Sequence, residues 1–236
     1  MRDCNLYTAV SIASVDNITL AGKLWHSSTT TTTYVDLPVL LFVHQYAQMG
    51  GQGALMEGMA AESLNYGFSA LTFDLRGAGE SEGTCTFTNQ AELADVCAAI
   101  DFLVEKTSRD IFLIGSSGGA PLAGAALEHS RRVLGAAMIG YVWGWWASWL
   151  FGWAYPALTQ SLKPKLFVVG DKDEFTSLAQ YEERVPALPG VAEMKLIRGK
   201  NHFEIEASCY DKQIVLWLHE FMQTHQLGTT YETCKT

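Results

Sequence analysis

The sequence predicts an α/β fold: a mostly parallel central sheet with helices on both faces and an antiparallel hairpin at its start. Three observations carry this. From residue 38 onward, short strand-like runs alternate with helix-like runs. The strand-like runs are apolar at successive positions, as strands covered on both faces must be. One of them, Ile111-Phe-Leu-Ile-Gly115, stops abruptly in small residues before a helix-compatible stretch.

Residues 6–14 and 17–25 alternate polar and apolar on either side of Val15-Asp16, the pattern of two antiparallel strands. The Ser/Thr tract at 27–33 reads as an exposed loop. Strands are predicted at 38–44 and 68–74, with a helix at 53–66 between them. A helix at 89–106, capped by Asn89 or Thr88, leads to the strand at 111–115 and a helix at 118–129. Strands follow at 133–140, 165–170 and 193–198, with helices at 176–185 and 210–225. With no repeat, the chain reads as one domain, 1–236, whose residues 227–236 form a polar tail.

A chain of 236 residues can enclose a substantial core. Its net charge of -9 and scattered Lys and Arg exclude a phosphate-binding surface, so nucleic acid is not an expected partner. Five cysteines without C-x-x-C spacing fit reduced thiols, hence a cytoplasmic protein. No His/Asp/Glu cluster has ligand spacing, so neither metal nor cofactor is expected. Residues 1–13 lack the apolar stretch of a signal peptide. Residues 133–162 carry no charge, and 136–153 are apolar enough to suggest a membrane crossing. Glycines divide that run, and a crossing would separate Ser117 from the later residues it needs. No transmembrane segment is therefore predicted; peripheral contact with a membrane stays open.

Gly115-Ser116-Ser117-Gly118-Gly119 fits G-x-S-x-G, a strand-to-helix turn so sharp that only small residues fit two places either side of the nucleophile. That condition selects Ser117, flanked by Gly115 and Gly119, over Ser116, which would have Ile114 there. A serine hydroxyl needs a base, and the base needs an acid to orient it. Asp173 and His202 each follow a predicted strand, in the order Ser, Asp, His. Asp171 is the rival acid, one residue past its strand end and placed to cap the turn. His44 ends a buried strand and reads as a structural anchor for the loop after it. The oxyanion of an acyl-transfer intermediate needs two fixed donors. The backbone N–H of Gly118 is one, and that of Tyr46, with Gln45 second in preference, the other.

These motifs resemble the α/β-hydrolase superfamily, serine hydrolase type. Within it the chain is similar to lineages with an H-P-H-P-x-x-G-G loop and an F-D-x-R-G-x-G-x-S segment. It carries His44-Gln-Tyr-Ala-Gln-Met-Gly-Gly51 and Phe73-Asp-Leu-Arg-Gly-Ala-Gly-Glu-Ser81 at those places. It also resembles uncharacterised plant-type members that share G-S-S-x-G-A-P and P-K-L-F-V-x-G-x-x-D-x-F-T-S. The likeness runs from about residue 39 to 221, and departs at Gln45 and Ala47, where the usual prolines are missing. It implies an α/β-hydrolase fold and an esterase-, thioesterase- or lipase-like activity. Asp74, Arg76 and Ser81 match the second segment and are read as holding a loop near the site.

Residues 141–153 hold five of the seven tryptophans, in a connection too short for a large cap. The segment 141–162 is therefore read as a short lid-like piece. Trp146, Trp149, Leu150 and Trp153 are spaced to share one helix face, either packed on the sheet or roofing an apolar pocket. With Trp143 they are the candidate substrate-binding residues. The function expected is hydrolysis of a small ester or thioester with an apolar acyl or aromatic group, through an acyl-enzyme. A receptor of the same fold, an acyltransferase and a peptidase remain the alternatives, and the oligomeric state stays open.

Overall fold

A computed structural model of the protein describes residues 6–27 and 37–228, with all side chains there except those of 145–147. Most of the Ser/Thr tract, and 229–236 of the tail, lie outside the described residues.

Eight strands form one sheet. Strands β1 (Tyr7–Ala13) and β2 (Thr19–Trp25) pair as the antiparallel hairpin, and β2 pairs antiparallel with β4 (Ser69–Phe73). The remaining strands run parallel: β3 (Val39–Val43), β5 (Ile111–Ser116), β6 (Val133–Ile139), β7 (Lys165–Gly170) and β8 (Ala192–Ile197). Their order is β1-β2-β4-β3-β5-β6-β7-β8. After β3 the chain steps outward to β4, then returns to the other side of β3 as β5. A crevice opens beyond the strand ends at such a reversal.

The helices are α1 (Glu57–Ser63), α2 (Gln90–Lys106), α3 (Gly119–Ala125), α4 (Trp145–Phe151), α5 (Tyr155–Gln160), α6 (Leu178–Arg184) and α7 (Asp211–Thr224). The sheet separates two cores. Val39, Leu41 and Val43 of β3 face one, with Ile100 of α2, Leu122 of α3 and Tyr181 of α6. Leu40 and Phe42 face the other, with Met59 of α1 and Leu218 and Phe221 of α7. Burial on both faces is why the strand runs carry no polar alternation.

Several element boundaries differ from expectation. The helix expected over 53–66 is α only at Glu57–Ser63, between 3-10 turns at Gly53–Met56 and Leu64–Tyr66. That expected over 118–129 stops at Ala125. Asn89 stands at the N-cap of α2, but with φ 55 and no capping bond from its side chain. Glu92 in the first turn instead accepts from the Thr86 backbone N–H and hydroxyl. Ser177 does cap α6, in a reciprocal box with Gln180. The uncharged run at 133–162 is divided between β6, α4, a turn and α5. Among the described residues no helix is long and apolar enough to cross a membrane.

Candidate active site

Strand β5 ends in Ser116, and Ser117 follows with φ 50, in the left-handed region that non-glycine residues rarely enter. The turn is tight enough to exclude side chains around it. A Cβ at Gly115 would lie 2.4 Å from the Gly119 carbonyl oxygen, and one at Gly119 would lie 2.3 Å from that of His44. Both obstacles are backbone atoms, so neither can swing aside. The Ser117 backbone N–H donates to Ile139 O at 2.8 Å, fixing the turn to β6.

His202 lies in the loop after β8, 85 residues from Ser117, and its Nε2 stands 2.8 Å from Ser117 Oγ. Its Nδ1 is 2.7 Å from Asp173 Oδ2, on the loop after β7. The other carboxylate oxygen, Oδ1, accepts from the backbone N–H groups of Phe175 at 2.8 Å and Thr176 at 2.9 Å. Those bonds hold the carboxylate in one orientation. The rival Asp171 faces elsewhere, accepting from the Gly199 N–H at 2.5 Å. His202 and Asp173 are both buried. Phe175 and Phe203 lie edge-on to the imidazole, with ring centroids 4.6 and 5.4 Å away.

The loop after β3 faces the elbow. A Cβ at Gly118 would be 3.1 Å from the Tyr46 backbone nitrogen, so the two peptides are packed together. Among the described residues, neither the Gly118 nor the Tyr46 backbone N–H donates to a loop or turn carbonyl. His44 anchors this loop as a neutral tautomer. The Leu75 N–H donates to its Nε2 at 3.0 Å, so the proton sits on Nδ1, which is 2.7 Å from Gln45 O. Burial lowers the His44 pKa. Asp74, Arg76 and Ser81 organise the neighbouring loop. Asp74 accepts from the Gly53 and Glu80 N–H groups, and Ser81 Oγ donates to Asp74 O at 2.6 Å. Arg76 makes a forked pair with Asp95 on α2, at 2.9 and 2.7 Å.

The tryptophans do not act as one face. Helix α4 ends at Phe151 and a 3-10 turn, Gly152–Ala154, follows, so Trp153 leaves the register of Trp149. The Trp153 indole N–H donates to Thr88 O and Leu150 O. Trp143 is a core residue and not a pocket wall: it is 3% exposed, stacked on Phe167 and edge-on to Tyr181. Trp149 is 71% exposed and packs against Phe87. The Trp146 side chain lies outside the described residues. Phe151, unremarked in the sequence, meets the Tyr46 ring edge-on at 5.8 Å. The Tyr46 hydroxyl donates to Phe87 O at 2.5 Å. Aromatic side chains thus flank the loop after β3 on one side and His202 on the other. Of the further residues at the site, Phe175 is part of the D-x-F-T-S motif, whereas Phe203 and Glu206 are marked in the sequence only by their closeness to His202.

A cleft of about 390 Å3 runs along β1, β2 and β4, lined by Lys23, Glu57 and Asp74 among others. Ser117, Asp173 and His202 do not line it, so it is not the site of this constellation. Among the described residues no His/Cys/Asp/Glu group has the arrangement of a metal site, and Cys85, Cys97 and Cys209 are free thiols.

A family model described as "Alpha/beta hydrolase family" matches residues 40–207, more than half of the chain. No curated protein matches it in sequence. Among solved structures it is similar to XC6422 of Xanthomonas campestris, an a/b serine hydrolase without lid. Identity is 16%, coverage 96% of this chain and 98% of that one, and the TM-score 0.76. The Pyrococcus furiosus esterase Pf2001 is 19% identical over 92% of each chain, with a TM-score of 0.72. Est1E of Butyrivibrio proteoclasticus, solved with ferulic acid bound, is 17% identical over 92% of this chain and 98% of that one, at 0.71. At such identities the likeness is one of fold.

Proposed function

Because the chain belongs to the alpha/beta hydrolase family, we propose that it is a serine hydrolase cleaving carboxylic esters or thioesters, with Ser117, His202 and Asp173 as its catalytic residues. The observation that carries this reading is the imidazole of His202, within hydrogen-bonding distance of Ser117 Oγ and Asp173 Oδ2 at once. His202 Nε2 takes the Ser117 proton as Oγ attacks the acyl carbon. Asp173, held by two backbone donors, keeps the Nδ1–H tautomer in place and balances the imidazolium that forms. The oxyanion is received by the N–H groups of Gly118 and Tyr46. Collapse of the intermediate expels the alcohol or thiol, which takes the proton from His202. Water, activated by the same imidazole, then releases the acid from Ser117.

The aromatic side chains of Tyr46, Phe151, Phe175 and Phe203 around the reacting atoms favour an apolar acyl or aromatic group. The ferulic acid in Est1E is an aromatic ligand on a chain of like fold. A fluorophosphonate probe tests the assignment. It should label Ser117 in the native protein, and Ser117→Ala should abolish both labelling and turnover of short p-nitrophenyl esters. A receptor without chemistry would bind such esters and turn none over. Turnover that survives Ser117→Ala would remove Ser117 from its role.

A further inference from the structure

Ser117 and His202 meet although the strands that carry them do not touch. Strand β8 lies three places from β5 in the sheet, with β6 and β7 between them. At about 4.8 Å per strand, their ends are about 14 Å apart. The loop after β8 must therefore lean back over two strands before its imidazole can reach the nucleophile.

Several bonds hold that loop to the neighbouring one after β7. The Gly199 N–H donates to Asp171 Oδ1, the Lys172 N–H to Lys200 O at 3.0 Å, and the His202 N–H to Glu174 Oε2 at 3.2 Å. A different bond reaches β5 itself. Ser116, the last residue of that strand, is buried, and its Oγ donates to Glu206 Oε1 at 2.5 Å. Glu206 ends the 3-10 turn Glu204–Glu206, in which Ile205 is fully buried. This turn is bonded to the backbone on either side of His202. The Ile205 N–H donates to Asn201 O and the Glu206 N–H to Phe203 O, both at 3.3 Å. Neither Ser116 nor Glu206 takes part in the chemistry above.

Resting on the serine hydrolase reading, we infer that Glu206 is a positioning residue: through Ser116 it fastens the histidine loop to the nucleophile's own strand, and so sets the reach of His202 to Ser117. A hydroxyl buried at the end of β5 needs an acceptor, and Glu206 supplies it from the loop that has to be held. The Ser117–His202 bond cannot serve this purpose throughout a cycle, because Oγ loses its proton on attack and is esterified in the acyl-enzyme. The Ser116–Glu206 bond contains no reacting atom and persists through both stages. Burial raises the Glu206 pKa, and the Ser116 hydroxyl opposes the rise by bonding the carboxylate.

The test uses Ser116→Ala, Glu206→Ala, their double variant and Glu206→Gln in the full chain. Readouts are kcat, KM and the acid limb of the pH profile for p-nitrophenyl butyrate. Ser116→Ala and Glu206→Ala should each lower kcat about 30-fold with KM nearly unchanged, as for a base held off its position. The double variant should be no worse than either single, because both cut the same tie. Glu206→Gln keeps a carbonyl acceptor for Ser116 and should stay within about threefold of the native rate. The acid limb, set by His202, should keep its native position in Ser116→Ala. Native kcat in folded Ser116→Ala would overturn the tie, and so would losses that add in the double variant. Equal losses in Glu206→Gln and Glu206→Ala would also overturn it, by assigning the effect to the carboxylate charge; the acid limb would then move to lower pH in both. If Glu206→Ala does not fold, Ser116→Ala, which removes only a hydroxyl oxygen, reads the tie from its other end. A native protein neither labelled by fluorophosphonate nor active on esters would instead sink the hydrolase reading itself, an outcome the native control identifies separately.

Discussion

Gly140 and His202 are in direct contact: a Cβ at position 140 would stand 2.9 Å from the imidazole Cε1 and 3.2 Å from Nδ1. Gly140 also has φ +59, which a side chain resists. It follows β6, whose last carbonyl fixes the Ser117 turn. The back wall of the imidazole is thus a backbone with no side chain, and the ring is held by contact as well as by Asp173.

Gly140→Ala should therefore displace the ring before it unfolds the protein. The expected outcome is a fall in kcat of about 100-fold, as for a misplaced base, with a smaller effect on KM. Steady-state kinetics alongside a melting curve check this. A variant with native kcat would mean the ring has room that the contact distances deny.

His44 should matter for stability through two hydrogen bonds. His44→Phe leaves the Leu75 N–H and the Gln45 carbonyl without partners, at about 1–3 kcal/mol for each orphaned group. The pH dependence has a defined sign. Burial lowers the folded-state pKa of His44 below the ordinary 6.5. Its contribution is present above that value and lost as pH falls below it, where the unfolded chain binds the proton more readily. Denaturant titrations at about pH 5 and 8 should give the native protein a steeper loss toward acid than the Phe variant.

Trp143 and Trp149 should respond differently to truncation. Trp143→Ala empties a core site between Phe167 and Tyr181 and should cost about 3–5 kcal/mol. Trp149→Ala removes an exposed ring and should cost less than about 1 kcal/mol. If the Phe87–Trp149 pair meets the substrate, KM for long-chain esters should rise in Trp149→Ala with short-chain esters unaffected. Equal KM across chain lengths would remove this pair from the substrate wall.

Asp211 supplies a second pH signature, at a distance from the chemistry. It begins α7 with its carboxylate against Gly58 of α1, and burial, with Glu62 adding, pushes its pKa from 3.8 up to about 6. Between those values the folded protein holds a proton that the unfolded chain has released, so stability falls as pH rises through the window. Half-exposed as the group is, solvent screening reduces the effect to about 1 kcal/mol. Asp211→Asn should gain melting temperature over the native protein at about pH 7.5 and lose that advantage near pH 4. An advantage independent of pH would show that the carboxyl is not perturbed.

Local pattern accounts for what could be read from the chain alone. Apolar runs such as Leu40-Leu-Phe-Val43 mark strands covered on both sides, because no polar position interrupts them. Gly115 and Gly119 select Ser117 over Ser116, because steric exclusion at the turn acts over two residues. The order Ser117, Asp173, His202 is likewise visible, since each residue follows a strand-like run. Where local rules compete, the reading loses precision. The 53–66 helix breaks into 3-10 turns, and α4 stops at Gly152 before Trp153 can join its face.

Distances between remote residues obey no such local rule. Placing β3 beside β5 depends on the reversal of strand order, which brings Tyr46 against Gly118 although 71 residues of chain lie between them. The fate of each tryptophan follows from which neighbours arrive. Trp143 meets Phe167 from β7 and Tyr181 from α6 and disappears into the core, while Trp149 packs against Phe87 and stays at the surface. The Ser116–Glu206 bond closes 90 residues of chain. Periodicity and backbone sterics are properties of a few consecutive residues and are written in their types. Which side chains meet across a sheet depends on the packing of every strand between them, and that exists only once the chain has folded.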